Sequence, residues 1–421
     1  MSDFTRNPIR VMRDAAESVR GNARVCLFVE PLFSIPHAMY IGYMTLYMLE
    51  LGLTKSQVGM ISSLGMAISI FFALSSAYIT DRFGRRRTTF IFDTFGWVGA
   101  QLVWALARNF YFFVAGVIIN SFFRVILNSW NCLALEDSHP DERVHFFPFM
   151  QIVSILGGFF APVGAFLINR MTLIPAMRVM LVFSLVSMLT QNIIRHLSVT
   201  ETAIGKQKMQ EMKDVRIWEA FAAYIPVLKR IVKDRLLVIV VFIRSLNSIQ
   251  MIVRSTFLAV LVTERLGFPP ETMAMVHTIN SLIMLVSLLF ITPMLSQFTS
   301  RWPIALGIGL HIASTVILLL SPASQSYFVL IVSAILIALG SSISSPRIEA
   351  IVANTISNED RSLVNSVMQV LSVAISAPFG FVGGVLSGID TRLPFLLTLC
   401  ILFGCLLLLR VATAVEKKMT M

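Results

Sequence analysis

Charged and polar side chains recur at helical spacing inside apolar stretches of this chain. The first stretch carries Glu30, the fourth carries Arg124 and the seventh carries Arg244. An ionised group is costly in an apolar medium, so such residues tend to bind a charged solute or to transfer a proton. Polar neighbours at helical spacing place each group on one helix face. The candidate residues for a solute cavity are Glu30, Ser34, His37, Asn120, Arg124, Asn128, Arg244, Asn247 and Arg254.

Arg124 is the strongest single candidate. It lies about 14 residues into its apolar stretch, which is roughly 21 Å along a helix axis. Its guanidinium group cannot lose its proton in a protein, so it must face water, a carboxylate or a solute. A fixed salt bridge with Glu30 is the alternative to a role in binding a solute.

The elements that must position these residues are membrane-spanning helices. Hydrophobic residues make up 56% of the 421-residue chain and charged residues 14%, against about 25% in ordinary globular proteins. Twelve helices of about 20 apolar residues would use nearly all of these hydrophobic residues. Only helices suit the segments, because backbone groups in lipid must bond internally. The predicted spans are 25–49, 57–79, 88–107, 110–135, 146–168, 173–194, 236–263, 272–295, 303–320, 327–351, 363–389 and 393–414.

A polar segment divides these spans into two halves of six. The predicted parts are an N-terminal segment 1–24, a first bundle 25–194, a central loop 195–235, a second bundle 236–414 and a tail 415–421. An amphipathic helix is predicted around residues 215–231, on the membrane surface. Outside the spans, 25 Lys and Arg residues lie on the side of the termini and 6 lie on the other side. Lys and Arg residues are more frequent on the cytoplasmic side of membrane proteins. Both termini are therefore predicted to be cytoplasmic, in a plasma or inner membrane. The net charge of +11 is explained by this orientation and does not indicate nucleic-acid binding.

The two halves resemble each other in sequence. Leu51-Gly52 recurs as Leu266-Gly267, and Ala161-Pro162 recurs as Ala377-Pro378, in each case about 216 residues later. Six spans against six preserves orientation, so the repeat is parallel, about an axis along the membrane normal. Some transporters have this symmetry, with the solute site near the bilayer midplane between the repeats.

The repeat also aligns Glu30 with Arg244 at a similar depth on facing halves. An acid and a cation that can pair or separate would make a proton-coupling switch, and a fixed ion pair is the alternative. Asp93, near the inner end of span three, is predicted to pair with the neighbouring basic loop.

No cofactor, metal or catalytic centre is predicted. His139, Asp141 and His145 have the residue types of a metal triad, but the matching loop of the second half contains no histidine. The sequence contains neither a nucleophile–base pair across the spans nor a Walker-type G-x-x-x-x-G-K-[ST] phosphate loop. Enzymatic activity and ATP-driven transport are therefore not expected.

The loop between spans two and three carries the most specific motif, Asp81-Arg82-Phe83-Gly84-Arg85-Arg86. Gly84 permits a tight turn, the arginines anchor the loop at the inner surface, and Asp81 can face a helix N-terminus. The segment resembles the G-x-x-x-D-R-x-G-R-R/K signature of the major facilitator superfamily, in the loop expected for it, with Ala77 in place of the first glycine. Together with the span number and the repeat, the resemblance covers about residues 25–414.

This resemblance implies an all-α fold of two six-helix bundles, in which helices one, four, seven and ten line a central cavity. The polar stripes lie on these four spans; the stripe of span ten is rich in serine. The resemblance also implies that Asp81 faces the start of span eleven, near residues 362–365, and that the motif residues Asp81, Arg82, Gly84, Arg85 and Arg86 close the cytoplasmic side.

The predicted function is secondary active transport by alternating access. Three arginines against one clear acid favour a small anionic or amphipathic organic solute, moved by a monomer with Glu30 as the candidate for coupling to a proton or another ion. A proton-coupled exporter of cationic drugs is the alternative within transport. A non-transporting sensor or a membrane enzyme on the same fold is the alternative of a different class.

Overall fold

Apolar runs fold into helices along the whole described chain. The computed structural model describes residues 19–138, 140–222, 224–291, 294, 302–322, 326–355 and 361–419, without the side chains of 140–145, 220, 349–355, 361–363, 365 and 412–419. Every secondary-structure element within these ranges is a helix. The predicted all-α polytopic fold is thereby confirmed. The three residues weighed and rejected as a metal triad, His139, Asp141 and His145, lie outside the described side chains.

Eleven helices in the described part are long and apolar enough to cross a membrane. We number them spans one, two and four to twelve, in chain order. Their bounds are Gly21–Glu50, Lys55–Phe83, Phe110–Leu135, Phe146–Met171, Leu173–Ser198, Arg235–Arg265, Thr272–Ile291, Trp302–Leu320, Tyr327–Ile348, Ser366–Ile389 and Leu393–Val411.

The remaining predicted span, span three, is helical but less apolar than the others. It consists of Arg85–Asp93, a π-helical turn Thr94–Gly99 and Ala100–Ala105, which follow one another without a gap. Asp93 and Gln101 are buried along it, with exposed fractions of 7% and 0%. Polar residues on the inward face of a helix lower its apolar character without preventing it from packing inside a bundle.

Local sequence signals fix where two of the spans begin. Thr54 accepts a hydrogen bond from the backbone of Gln57, whose side chain accepts one in return from Thr54, so span two starts with a capping box. Asp234 caps span seven by accepting from the backbone N–H groups of Leu236 and Leu237. Gly84 follows the end of span two with a φ of 84°, a conformation that glycine adopts without strain.

Spans five and eleven each break at the repeated Ala-Pro pair. Pro162 lies in the first turn of the helix Ala161–Met171, and Pro378 begins the helix Pro378–Ile389. Proline cannot donate the hydrogen bond that would continue the preceding helix, so each span divides at this point. The two breaks occupy matching positions in the two halves, as the repeat predicts.

The central segment is largely helical as well. Span six continues to Ser198, so the connection starts later than the predicted residue 195. It contains Ala203–Glu211 and then a pair of short helices, Ile217–Ala222 and Tyr224–Lys233, which we call the seam helices. They occupy the region predicted for the amphipathic helix.

The two halves are held close together on one side of the bundle. We call the side where span one begins the terminal side, and the other the opposite side. On the opposite side, a Cβ atom at Gly59 of span two would lie 2.3 Å from the carbonyl oxygen of Gly380 in span eleven. Nearby, Lys55 Nζ lies 2.5 Å from Glu264 Oε2 of span seven. Close backbone contact and an ion pair therefore seal the seam between the halves there.

Candidate functional site

A cavity between the two halves lies on the terminal side of this seal. Its volume is about 290 Å³. Spans two, four and eleven line it, and Tyr224 of the seam helices closes one wall. We call it the seam cavity, and its polar lining residues are Ser76, Arg124, Asn128, Asn131, Tyr224, Ser366 and Gln369.

Arg124 brings a positive charge to this cavity that no described carboxylate neutralises. Its guanidinium carbon lies 4.7 Å from the centre of the Phe123 ring, and its buried Nε has no hydrogen-bond partner among the described residues. The charged group that acts on it is Arg244 of span seven, from the other half. Like charges repel, so Arg244 adds to the cost of burying the Arg124 charge, and no described carboxylate offsets that cost. This supports the prediction that Arg124 faces a solute or water and not Glu30.

Asn128 lies one turn from Arg124 on the same face of span four. Its side-chain amide donates to Thr80 Oγ1 of span two at 3.1 Å, so the residue both lines the cavity and ties two helices of one half together. Asn131, a further turn along, donates to the carbonyl oxygen of Leu127. The predicted stripe of span four therefore forms one wall of the seam cavity from its middle to its terminal end.

Glu30 lies in a second cavity, inside the first half of the chain. This N-half cavity has a volume of about 200 Å³ and lies among spans one, three, four, five and six. The Glu30 carboxylate has no hydrogen bond or ion pair with another described side chain, and its charged neighbours are Arg195 and Asp93. Aromatic rings form much of the wall, from Phe33, Trp97, Phe123 and Trp130.

A buried ion pair forms the polar end of the N-half cavity. Arg195 of span six binds Asp93 of span three, and their side chains are 4% and 10% exposed. The same guanidinium group donates to Asn192 Oδ1 at 2.6 Å. Two predictions are corrected here. Asp93 pairs with span six and not with the basic loop, and Glu30 lies beside this pair and not opposite Arg244, because spans one and six adjoin within one half.

Two other predicted residues serve packing within a half. Asn120 donates to the carbonyl oxygen of Gly96 in the π-helical turn of span three, at 3.1 Å. Arg254 is 8% exposed and donates to Ser333 Oγ of span ten at 3.4 Å, so it lies inside the second half and not in the seam cavity. At 3.6 residues per turn, Arg254 lies about 80° around the helix from Arg244, ten residues earlier, so the two side chains do not share one face.

The remaining residues of the predicted stripes lie on spans one and seven. His37 Nδ1 lies 3.1 Å from the hydroxyl of Tyr40, and its ring stacks on Phe33 with centroids 5.2 Å apart. Ser34 is buried against the backbone of span five at Gly157. Asn247 is half-buried on span seven. Of the predicted cavity residues, the seam cavity therefore unites Arg124 and Asn128, while Arg244 acts on the Arg124 charge from outside its lining.

The loop motif forms a charge network on the terminal side. Arg85 is buried, and its Nε donates to both carboxylate oxygens of Glu136, at 3.1 and 3.0 Å. Nη2 of Arg85 lies 2.8 Å from Asp81 Oδ1. Thr202 of the central segment donates to Glu136 at 2.5 Å. Arg82 donates to the carbonyl oxygen of Val215 at 3.0 Å. The network thus joins span four and the central segment to the loop.

Glu201 of the central segment caps the start of span three. Its two carboxylate oxygens accept from the backbone N–H groups of Arg85 and Arg86, each at 2.9 Å, where the helix dipole favours a negative charge. Arg86 in turn donates to the carbonyl oxygen of His196. Asp81 pairs with Arg85, one turn along, and the residues predicted as its partners, 362–365, lie outside the described side chains except for Val364.

Sequence reasoning missed Arg195, Tyr224 and Gln369 as cavity residues. Arg195 ends an apolar run, where a basic residue is usually an anchor at the membrane surface. Its spacing from Gln191 and Asn192 was the available signal, since the three side chains share one helix face. Tyr224 lies in a segment outside the predicted spans, so only the folded chain brings it to the cavity.

A family model describes nearly the whole chain. The model of the Major Facilitator Superfamily matches residues 32–253 and 240–419. The two matches divide the chain close to the boundary between the two halves. No curated protein sequence gives a significant match.

Solved structures share the fold over most of their length. The nucleoside transporter NupG is 14% identical, with a TM-score of 0.71, and the match covers 94% of this chain and 100% of that one. A POT family transporter in complex with 5-aminolevulinic acid is 13% identical, with a TM-score of 0.72 and coverage of 95% and 96%. The peptide transporter POT in complex with sulfate is 16% identical, with a TM-score of 0.69 and coverage of 97% and 98%. At these identities the likeness concerns the fold alone.

Proposed function

This chain belongs to the major facilitator superfamily, and from that premise we propose that it moves a small organic anion across the membrane by alternating access. Membership of this family supports secondary transport through a multi-pass membrane protein. The observation that carries the choice of solute is Arg124, which lines the seam cavity with no described carboxylate beside it and with a buried Nε that has no hydrogen-bond partner among the described residues. An anion bound to Arg124 would offset the cost of burying its charge.

The size of the seam cavity favours a small solute over a bulky amphipathic one. Its volume of about 290 Å³ lies at the lower end of the range for ligand cavities. Guanidinium groups bind carboxylate and phosphate groups through paired, charge-assisted hydrogen bonds. Asn131, Gln369 and Tyr224 add polar groups that can orient the rest of the solute.

The closed seam on the opposite side supports an alternating-access mechanism. The glycine contacts of spans two and eleven and the pair of Lys55 with Glu264 separate the seam cavity from the opposite side. Transport would require these contacts to part while the terminal side closes, so that the cavity faces each side in turn. The two matching breaks in spans five and eleven are positioned to bend during such a change.

We expect Arg124→Gln to remove about half or more of the stabilisation that the anionic solute gives to the purified protein. A ligand at 100 times its dissociation constant stabilises a protein by about 2.7 kcal/mol, which a thermal-shift screen of charged metabolites detects. Loss of a charged hydrogen bond should weaken binding by roughly tenfold or more. Arg108→Gln, an exposed arginine of the loop before span four, is the matched control and should keep full binding.

Binding should then be followed by flux. The solute identified in the screen should accumulate in vesicles containing the native protein but not in vesicles containing Arg124→Gln. Solutes that bind equally well to native protein and Arg124→Gln would contradict the anion proposal. Binding without flux would instead indicate a sensor on the same fold.

Glu30 is proposed as the group that couples transport to a proton. Its carboxylate faces the N-half cavity beside the Arg195–Asp93 pair and has no described partner of its own. We expect Glu30→Gln to retain solute binding but to lose transport driven by a pH gradient, because the amide cannot exchange a proton. Vesicle flux with and without a gradient measures this.

Glu50→Gln is the matched control for Glu30→Gln. Glu50 is an exposed acid at the other end of span one, and its replacement should leave coupling intact. A pH dependence of transport that survives in Glu30→Gln would show that the proton is carried elsewhere or that another ion is coupled.

One observation favours a second candidate, a proton-coupled exporter of organic cations. The N-half cavity combines the Glu30 carboxylate with four aromatic rings, and such surroundings attract cations. With a volume of about 200 Å³ the cavity has room for an ammonium group and not for a drug-sized molecule. Thermal-shift hits confined to cations, and lost in Glu30→Gln, would replace the anion proposal with this one.

A further inference from the structure

The seam helices, Ile217–Ala222 and Tyr224–Lys233, have two contrasting faces. On the inner face, Val227 and Ile231 are buried against spans seven and eleven. On the outer face, Trp218, Ile225 and Val232 have exposed fractions of 75%, 55% and 65%. Large apolar side chains grouped in this way mark a surface that another apolar phase covers.

Basic residues adjoin the apolar outer face. A groove of about 540 Å³ lies along the second seam helix, lined by Pro226, Lys229, Arg230, Lys233 and Asp234. Lys229 and Lys233 are exposed and lie one turn apart, so both ammonium groups can reach the same ligand. An apolar face bordered by cations is the pattern of helices that bind the surface of an anionic membrane.

The position of the seam helices on span two identifies the apolar phase as the bilayer. The hydroxyl of Tyr224 donates to the carbonyl oxygen of Leu74 at 3.2 Å, and Phe221 stacks on Phe71 with centroids 6.4 Å apart. Leu74 precedes the end of span two at Phe83 by about 13 Å along the helix axis. Phe71 is itself 56% exposed, so its contact with Phe221 places the first seam helix beside a lipid-facing part of the span. A soluble partner protein would not reach that depth.

We propose that the seam helices form a binding site for an anionic phospholipid on the terminal side of the membrane. Lys229 and Lys233 would hold the headgroup phosphate in the groove, and the acyl chains would cover Trp218, Ile225 and Val232. Tyr224 lies on the same helix and lines the seam cavity, so the bound lipid supports one wall of that cavity. The proposal holds whichever solute the cavity takes.

Native mass spectrometry of the full-length protein with phosphatidylglycerol and phosphatidylcholine tests the site. The native protein should bind phosphatidylglycerol in preference, and Lys229→Gln/Lys233→Gln should bind it roughly 30-fold more weakly, because each lysine near an anionic surface contributes to affinity. Lys206→Gln/Lys213→Gln is the control, since it removes two exposed lysines from the same central segment. Equal binding by the native protein and the first variant, or an equal loss in the control, would overturn the proposal.

A second measurement does not depend on the lysine variants. Phosphatidylglycerol with brominated acyl chains should quench the fluorescence of Trp218 in the native protein, and the quenched component should be missing in Trp218→Phe. Identical quenching of the native protein and Trp218→Phe would show that the outer face does not enter the bilayer, and the lipid site would then be rejected.

Discussion

Arg195→Met should lower the free energy of unfolding by about 3–5 kcal/mol. The substitution leaves Asp93 as a buried charge without its partner, and the side chain of Asp93 is only 10% exposed. Glu30 lies nearby, so two acids would then share the cavity without a cation. The midpoint of unfolding by sodium dodecyl sulfate in mixed micelles measures the loss.

The double variant Arg195→Met/Asp93→Leu separates the cost of an unpaired charge from the cost of lost packing. Replacing both partners with apolar residues of similar size is often neutral for a buried pair, so most of the stability should return. Lys208→Met removes the exposed pair with Glu211 and should leave the midpoint unchanged. Equal losses in the single and double variants would show that packing, and not charge, dominates at this position.

Gly59→Ala should part the two halves on the opposite side. The new methyl group would lie 2.3 Å from the carbonyl oxygen of Gly380 and 2.9 Å from the Cα of Gly384, and both are backbone atoms. Overpacking of this kind costs about 1–3 kcal/mol, which corresponds to a shift of roughly 5- to 150-fold between the closed and open seam. Transport should fall, because the closed state becomes rare.

Cross-linking across the seam measures the shift directly. Lys55 and Glu264 meet through long side chains, so a Lys55→Cys/Glu264→Cys background should be cross-linked efficiently by a short bifunctional thiol reagent and lose that efficiency when Gly59→Ala is added. Gly388→Ala is the matched control on span eleven, because its new Cβ would meet only Ser56 Oγ, at 3.9 Å. An unchanged yield in Gly59→Ala would mean that the helices yield locally and the seam stays shut.

Much of the fold is predictable because the bilayer leaves few choices. Apolar runs long enough to cross it must be helices, and the repeat fixes six spans against six. Span three shows where this signal weakens: Asp93 and Gln101 reduce its apolar character, yet both are buried inside the bundle. The length of an apolar run is a local property, whereas the burial of a polar residue depends on its neighbours in space.

The candidate site was less predictable than the fold, for the same physical reason. Helical spacing correctly placed Arg124 and Asn128 on one face of span four. Helical spacing could not decide which neighbour a face meets, so it placed Arg254 at the seam. The internal repeat aligned Glu30 with Arg244 across the seam. Glu30 instead lies beside Arg195, whose position at the end of an apolar run gave no sign of burial.

The contacts of the central segment with the first half bear on how the chain can be divided. Glu201, Thr202 and Val215 supply hydrogen-bond acceptors or donors to the charge network of the first half, although they follow its last span in sequence. A fragment ending at Ser198 would leave the start of span three without its anionic cap and Glu136 without its hydroxyl donor. Co-expressed halves would therefore assemble only from fragments cut after Val215. During synthesis, the first half is complete only when the stretch from Glu201 to Val215 has emerged from the ribosome.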